Sequence, residues 1–173
     1  MVWVMFLIVT RNFPPDIGGM QVLMGGLSEG LLNHGPVKVF TYEYPNSENY
    51  DKNSSINIER VKGLKLFKKY RKANLVNNFI NENSNIRAIV ADHWKSLELL
   101  KIEYLNKTKT FCLIHGKEIN HNIGSRMRDP DPEFKIKLAC FKHDSLWSIH
   151  PYSRLNSHAL STIHYEVFMH IQG

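Results

Sequence analysis

The chain has 173 residues, the size of one ordinary domain, and 43% of them are hydrophobic, which is enough to build a single core. Its two cysteines are too few for a disulfide framework, so reduced thiols in a cytosolic protein are expected. The apolar run Met1–Thr10 is about half as long as a bilayer span and follows no basic leader, which favours a buried strand in a soluble protein.

Strands and helices alternate along the first two thirds of the chain. Val2–Thr10 is apolar without polar alternation, which is typical of a strand buried on both faces of a parallel sheet. Turn residues fill 12–19, and apolar residues at helical spacing then predict a helix that ends at His34-Gly35. The later predicted elements are strands at 37–42, 56–61, 86–91 and 110–114, a turn-rich loop at 45–55, an amphipathic helix over 66–80 and a short helix at 96–104.

Such alternation favours parallel strands joined by right-handed crossovers. We therefore predict an α/β fold: a single Rossmann-like domain with a mostly parallel sheet and helices on both faces. After Arg126 the pattern fails, and Asp129-Pro-Asp-Pro opposes regular structure. Residues 1–126 are predicted to form the domain and 127–173 an irregular tail.

Ligands in open α/β sheets lie at the carboxyl ends of the strands, so the loops there are informative. The first loop reads Phe13-Pro-Pro-Asp-Ile-Gly-Gly-Met-Gln. Its Gly18 and Gly19 precede a helix, where backbone amides can approach a phosphate; the alternative is that the pair makes a tight turn. The glycine signatures of dinucleotide and Walker-type sites are absent from the sequence.

The loops after the fourth and fifth predicted strands each begin with a histidine near the strand end. His93 can bind sugar hydroxyls or phosphate beside the apolar face of Trp94, or the two can form a packing contact at the start of a helix. For His115 the functional interpretation is favoured, because Gly116 opens space beside it and Glu118 is placed to orient it.

Together these features resemble the N-terminal, acceptor-side domain of family 4 glycosyltransferases of the GT-B fold. The resemblance spans residues 3–126 and rests on the apolar first strand, the 13–21 motif, the helix ending in His34-Gly35, and His115-Gly-Lys-Glu118. It implies a retaining enzyme that moves a sugar from a nucleotide-sugar, which is a substrate and not a cofactor, to an acceptor. No metal is implied.

On the matching positions the resemblance implies specific roles. Gly18 and Gly19 would face the donor diphosphate, and His115 would contact the transferred sugar as the catalytic residue. The acceptor would lie near Asp16, and Glu118 is a further acceptor-binding position. His93, from its place after the fourth predicted strand, is also a candidate for acceptor binding. Electrostatic stabilisation of the departing diphosphate would dominate the chemistry.

The donor-binding half of such an enzyme is not recognisable after Arg126, and a two-domain enzyme needs about twice this length. The chain is expected to be incomplete by itself, with its continuation lost by truncation or frameshift or supplied by a second chain. The alternative is a non-catalytic Rossmann-like module that binds a phosphorylated ligand or a partner subunit. Asp129-Pro-Asp131 matches a metal-binding pattern of another glycosyltransferase fold, but the surrounding prolines favour a loop.

Seven cations and no acid lie between Arg60 and Lys72. One interpretation is a solvated helix face. Another is attraction to anionic lipid headgroups at ~1 kcal/mol per cation, with Leu64, Leu66 and Phe67 as apolar contacts. Nucleic acid is not an expected partner, because no recognition motif accompanies the charge. The family implies a cell-envelope or lipid-linked acceptor and a peripheral position on the inner membrane face. The predicted membrane patch is Lys65, Lys68, Lys69, Arg71 and Lys72.

Overall fold

The structure is a computed structural model that describes residues 4–114, 136–142 and 146–151. Its strands are β1 (Met5–Val9), β2 (Val37–Tyr42), β3 (Asn57–Val61), β4 (Ile86–Ala91), β5 (Lys109–Ile114), β6 (Ile136–Lys142) and β7 (Leu146–Pro151). Its helices are α1 (Gly19–Leu32), α2 (Ser47–Asn53), α3 (Lys65–Glu82), α4 (Trp94–Leu97) and α5 (Ile102–Lys107).

The strands form one sheet in the order β3-β2-β1-β4-β5-β6-β7. The first five strands pair in parallel, β6 adds in parallel to β5, and β7 is antiparallel to β6. The predicted α/β fold with a mostly parallel sheet is therefore confirmed. Among the described residues, the helices are too short or too polar for any of them to cross a bilayer.

The central strand β1 contributes to a core on each face of the sheet because successive side chains point to opposite sides. Phe6 and Ile8 pack with Met24 and Leu31 of α1. On the other face, Leu7 and Val9 pack in a cluster with these residues of α3: Ala73, Val76 and Ile80. Burial on both faces explains why β1 has no polar alternation.

Helix α1 ends close to the predicted position. His34 donates its backbone N–H to the Leu31 carbonyl at 2.9 Å, and Gly35 follows with φ of +151°. A Cβ atom on Gly35 would stand 2.5 Å from the Val4 carbonyl oxygen, so both conformation and space require glycine there.

Two predicted elements differ from the structure. Residues 45–55, predicted to be a loop, contain the short helix α2, which is polar and is fixed by an ion pair from β3 to Asp51 rather than by an apolar stripe. The single short helix predicted at 96–104 is instead α4 and α5, with Glu98–Lys101 between them.

The region beyond residue 126 contains regular structure that the sequence analysis did not predict. Strands β6 and β7 extend the sheet there, with Thr110 of β5 opposite Ile136 of β6. An isolated short strand has a weak pattern, and its pairing with β5 is a tertiary property. The rest of 127–173 lies outside the described residues, so the domain boundary stays a prediction.

Candidate functional site at the carboxyl edge of the sheet

The loops that follow β1 and β4 meet at the carboxyl edge of the sheet. β1 lies between β2 and β4, so the strand order reverses direction at this point, where a crevice for ligands is expected. The backbone N–H of Arg11, just past β1, donates to Asp92 Oδ2, just past β4, at 2.9 Å. This bond ties the two loops together.

The β1–α1 loop is fixed along its length. Its Pro14-Pro15 peptide bond is cis, and the Pro14 ring packs against α1 at Gly25, where a Cβ atom would approach Pro14 Cγ to 2.9 Å. The small residue at position 25 therefore lets the loop lie directly on the helix.

Arg60 of β3 binds three of the segments around this edge. Its Nε and Nη2 donate to the two carboxylate oxygens of Asp51 at 2.7 and 2.8 Å, and its Nη1 donates to the Tyr42 carbonyl at 3.3 Å. Nη2 also donates to the Pro14 carbonyl. Because the Arg60 side chain is 5% exposed, this cation is structural and does not belong to the surface charge.

Gly18 and Gly19 lie at the N-terminus of α1, as predicted. Gly18 has an extended φ of 170° and Gly19 is helical. Neither adopts the left-handed conformation for which a tight turn would require glycine. A Cβ atom on Gly19 would meet nothing within 4 Å, and one on Gly18 would meet the flexible Gln21 side chain. The exposed N-terminus of α1 therefore has room for an approaching group.

Asp16, predicted to bind the acceptor, is engaged by its neighbours. Its Oδ1 accepts the Ile17 backbone N–H at 2.9 Å, and its Oδ2 accepts Gln21 Nε2 at 2.5 Å. A hydrogen bond from the Tyr44 hydroxyl to the same carboxylate raises the pKa of Tyr44. Asp16 thus orients the start of α1, and its role toward an acceptor stays a prediction.

His93 adopts the structural arrangement that was the alternative to ligand binding. It is the N-cap of α4, where its Nδ1 accepts the Lys95 backbone N–H at 2.9 Å, and its ring lies 5.5 Å from that of Trp94. An imidazole whose Nδ1 accepts a hydrogen bond can present Nε2 as a donor. The acceptor-binding role of His93 remains a prediction.

A buried charged cluster lies beneath these loops. Asp92 is 1% exposed, and its second oxygen, Oδ1, accepts the Ser96 hydroxyl at 2.7 Å. Lys72 of α3 is 3% exposed; its Nζ donates to the Thr10 carbonyl at 2.9 Å and lies 4.5 Å from the centre of the Tyr42 ring. Burial lowers the pKa of Lys72 to about 8, with Asp92 opposing and Arg11 adding to that shift.

The placement of Lys72 corrects one member of the predicted membrane patch. Lys72 points inward because it shares a stripe of α3, at intervals of four residues, with Val76 and Ile80. The amphipathic helix predicted over 66–80 buries no apolar side chain at its start. Leu66 and Phe67 are 79% and 59% exposed and do not face the core.

The other cations of the predicted patch lie on the outer side of α3. Lys65, Lys69 and Arg71 are exposed and Lys68 is half-exposed. Lys69 lies 4.9 Å from the Tyr70 ring centre, and Arg71 donates to the Lys62 carbonyl at 2.8 Å. We call this surface the outer face of α3; it consists of Leu64, Lys65, Leu66, Phe67, Lys68, Lys69, Tyr70 and Arg71.

Several predicted positions lie outside the described residues: His115, Glu118 and the Asp129-Pro-Asp131 motif. Within the described part of the chain, no group of three or more His, Cys, Asp or Glu side chains could hold a metal ion.

Arg11, Lys72 and Asp92 were not predicted from the sequence to form one cluster. The spacing of Lys72 from Val76 and Ile80 was a signal that could have placed it inward, whereas nothing local to Arg11 or Asp92 shows that they meet. In comparisons with known proteins, no protein-family model matches the chain, and no curated protein matches it.

Proposed function

We propose that this chain is the acceptor-side half of a glycosyltransferase, which transfers a sugar from a nucleotide-sugar to a cell-envelope or lipid-linked acceptor. The observation that carries the proposal is the meeting of the β1 and β4 loops at the reversal point of the sheet, with Gly18 and Gly19 at its edge. This arrangement fits the motif resemblance of residues 13–21.

The donor diphosphate would dock against the start of α1. Gly19 is exposed and has open space around its Cα, and the helix N-terminus presents unpaired amides with a partial positive charge. His115, which directly follows β5 in the sequence, would contact the transferred sugar. The donor-binding half would come from another part of the polypeptide or from a second chain.

The acceptor would approach beside Asp16 and His93. Both side chains are held by backbone N–H groups, which fixes their orientation before a ligand arrives. If the acceptor is lipid-linked, the outer face of α3 offers cations and exposed apolar side chains to an anionic membrane surface. The protein would then work peripherally on the cytoplasmic side of the membrane.

One observation favours a second candidate function, a non-catalytic module that binds a phosphorylated ligand. Asp16 and His93 both make local hydrogen bonds of the kind that stabilise helix starts, so their present partners account for them without an acceptor. In that case the Gly18–Gly19 edge would bind phosphate, and no sugar acceptor would bind.

The donor side is tested by titrating the purified chain with UDP-, GDP- and ADP-sugars. Gly19→Ala places a methyl group at the start of α1 and should weaken binding about tenfold, by blocking close approach of the diphosphate. Gly26→Ala is the matched control, because Gly26 is also exposed on α1 with nothing within 4 Å of an added Cβ atom. Equal affinities for the two variants would contradict the proposed docking.

A measurement of acceptor binding distinguishes the two candidate functions. A transferase half should bind oligosaccharide or lipid-linked saccharide acceptors, and Asp16→Ala should abolish that binding. Glu48→Ala removes an acid that is 76% exposed nearby on α2, and it should leave binding unchanged. Binding of nucleotide-sugars without any acceptor binding would favour the phosphate-binding module. Sugar transfer by the chain that is lost in His115→Ala would establish a complete catalytic site.

A further inference from the structure

We propose that the side chains of Arg11 and Lys72 form a phosphate-binding site between the ends of β1 and β4, in addition to the backbone amides of Gly18 and Gly19. The ligand is a phosphate group carried by a sugar phosphate or by a nucleotide. This goes beyond the proposed function, because such a site would bind phosphate whether or not the protein transfers sugars.

The first support is the unused hydrogen-bonding capacity of the two cations. Arg11 is half-buried, and its Nε is enclosed but has no hydrogen-bond partner among the described residues. Lys72 donates one of its three N–H groups, to the Thr10 carbonyl. A buried guanidinium N–H without an acceptor is unfavourable, and a bound anion would supply that acceptor.

The second support is the charge balance of the cluster. Two cations and one carboxylate, Asp92, lie within electrostatic reach of one another, which leaves one positive charge in excess. Asp92 carries one negative charge and so cannot neutralise both cations; its two oxygens accept the Arg11 backbone N–H and the Ser96 hydroxyl. Within the described ranges, neither the Arg11 side chain nor the Lys72 side chain forms an ion pair with Asp92.

The third support is the position and chemistry of the groups. Arg11 begins the same loop that delivers Gly18 and Gly19, so a phosphate here would lie at the reversal point of the sheet. Tyr42 lies beside the cluster; its ring centre is 4.5 Å from Lys72 Nζ, and its hydroxyl is a hydrogen-bond donor at neutral pH. A guanidinium, an ammonium and a hydroxyl suit the oxygens of a phosphate dianion.

The test is calorimetric titration of the full chain with inorganic pyrophosphate, UDP and glucose 1-phosphate at fixed ionic strength. The wild-type chain should bind with one site. Arg11→Gln should weaken binding at least tenfold while keeping the backbone N–H bond to Asp92. Lys69→Gln removes the same charge from the outer face of α3, so its affinity should stay within twofold of wild type.

The ligand series identifies the source of the phosphate. Tighter binding of UDP would indicate a nucleotide, and tighter binding of glucose 1-phosphate would indicate a phosphorylated sugar; either supports the site. No binding of any of the three probes at millimolar concentration would overturn the proposal. Equal weakening by Arg11→Gln and Lys69→Gln would also overturn it, because general electrostatic attraction would then account for binding.

A spectroscopic readout on the wild-type chain keeps the proposal testable if Arg11→Gln does not fold. The Nε–H resonance of Arg11 in the wild-type chain should move on addition of pyrophosphate, because that N–H gains an acceptor. An unchanged Arg11 resonance at saturating pyrophosphate would contradict the site. Failure of sugar transfer would leave this result unaffected, so the two proposals can be separated.

Discussion

Helix α3 carries positive charge in two environments, one buried and one exposed. Lys72 points into the protein, where its Nζ meets the Thr10 carbonyl and the Tyr42 ring, whereas Lys65 and Lys69 point outward. They are close in the sequence, but residues 65–71 form the exposed or half-exposed start of α3, whereas Lys72 lies farther along, where the helix packs against the sheet. The inward cation belongs to the carboxyl edge of the sheet, and the outward cations form a surface.

A run of basic residues in the sequence is therefore not one functional unit. A buried cation loses hydration and must be compensated by acceptors, so its removal or neutralisation alters folding stability. An exposed cation keeps its hydration and contributes little to stability, so it is available for partners. Substitutions at buried positions should therefore change stability more than substitutions at exposed ones.

The largest effect is expected at Arg60. Arg60→Ala leaves Asp51 without its partner and releases the Pro14 and Tyr42 carbonyls, so the free energy of unfolding should fall by about 3 kcal/mol or more. Lys62→Ala is the control, because Lys62 is 63% exposed and pairs with Glu43 at the surface, so that little change in stability is expected. Urea denaturation of both variants measures the change in the free energy of unfolding. Similar losses in the two variants would contradict the distinction between the buried and the exposed cation.

Lys72 should make stability depend on alkaline pH. Its pKa is about 8 in the folded protein and 10.5 ordinarily, so between these values the unfolded chain binds more protons and the free energy of unfolding rises with pH. The stabilisation is complete above 10.5 and is lost as the pH falls through 8; it is on the order of 3 kcal/mol by the linkage relation.

Comparison with Lys72→Met isolates this effect from other titrating groups. The stability of the wild-type chain relative to the variant should increase between pH 7 and 10. Lys69→Met should show no such relative change, because Lys69 is exposed. A pH-independent difference between wild type and Lys72→Met would show that Lys72 is not buried as a cation.

Two adjacent glycines of α1 allow the same comparison between a buried and an exposed position, here for side-chain packing. Gly25→Ala should destabilise the protein by about 1–3 kcal/mol, because the new methyl group would press on the Pro14 ring. Gly26→Ala should stabilise it by up to about 1 kcal/mol, because Gly26 is exposed and alanine favours helix. The midpoint temperatures of thermal unfolding measure both effects. A shift of both midpoints in the same direction would contradict the prediction.

The smallest effect on stability is expected at the outer face of α3. Lys65→Gln combined with Lys69→Gln should change the free energy of unfolding by less than about 0.5 kcal/mol. Binding to vesicles that contain phosphatidylserine should weaken by about 2 kcal/mol, from the attraction of two cations near the surface. Equal binding of the wild-type and double-variant chains to these vesicles would exclude the membrane role of this face.

Much of the fold was predictable because β1 is apolar on both faces, β2 and β4 are mostly apolar, and the turn residues after them mark their ends. Strands β2 and β4 have the predicted bounds. Helix α2 was not predictable by periodicity, because it is short and polar and depends on the contact between Asp51 and Arg60. Strand β6 depends in the same way on pairing with β5.

The candidate site was predictable in its location but not in its detail. Gly18 and Gly19 are marked by the loop in which they occur, and His93 by the end of β4. Arg11 and Asp92 are 81 residues apart, so their hydrogen bond follows from the strand order and not from any local pattern. The inward turn of Lys72 was obscured by the cations around it, although its spacing from Val76 follows the helix repeat.

The most direct test of the central claim is a titration of the isotopically labelled chain with UDP-sugar, followed through its backbone amide resonances. We predict that the largest shifts occur at Arg11, Gly18, Gly19 and His93, at the carboxyl edge where the β1 and β4 loops meet. Shifts confined to the outer face of α3, or no shifts at millimolar nucleotide-sugar, would contradict the claim that this edge is the ligand site.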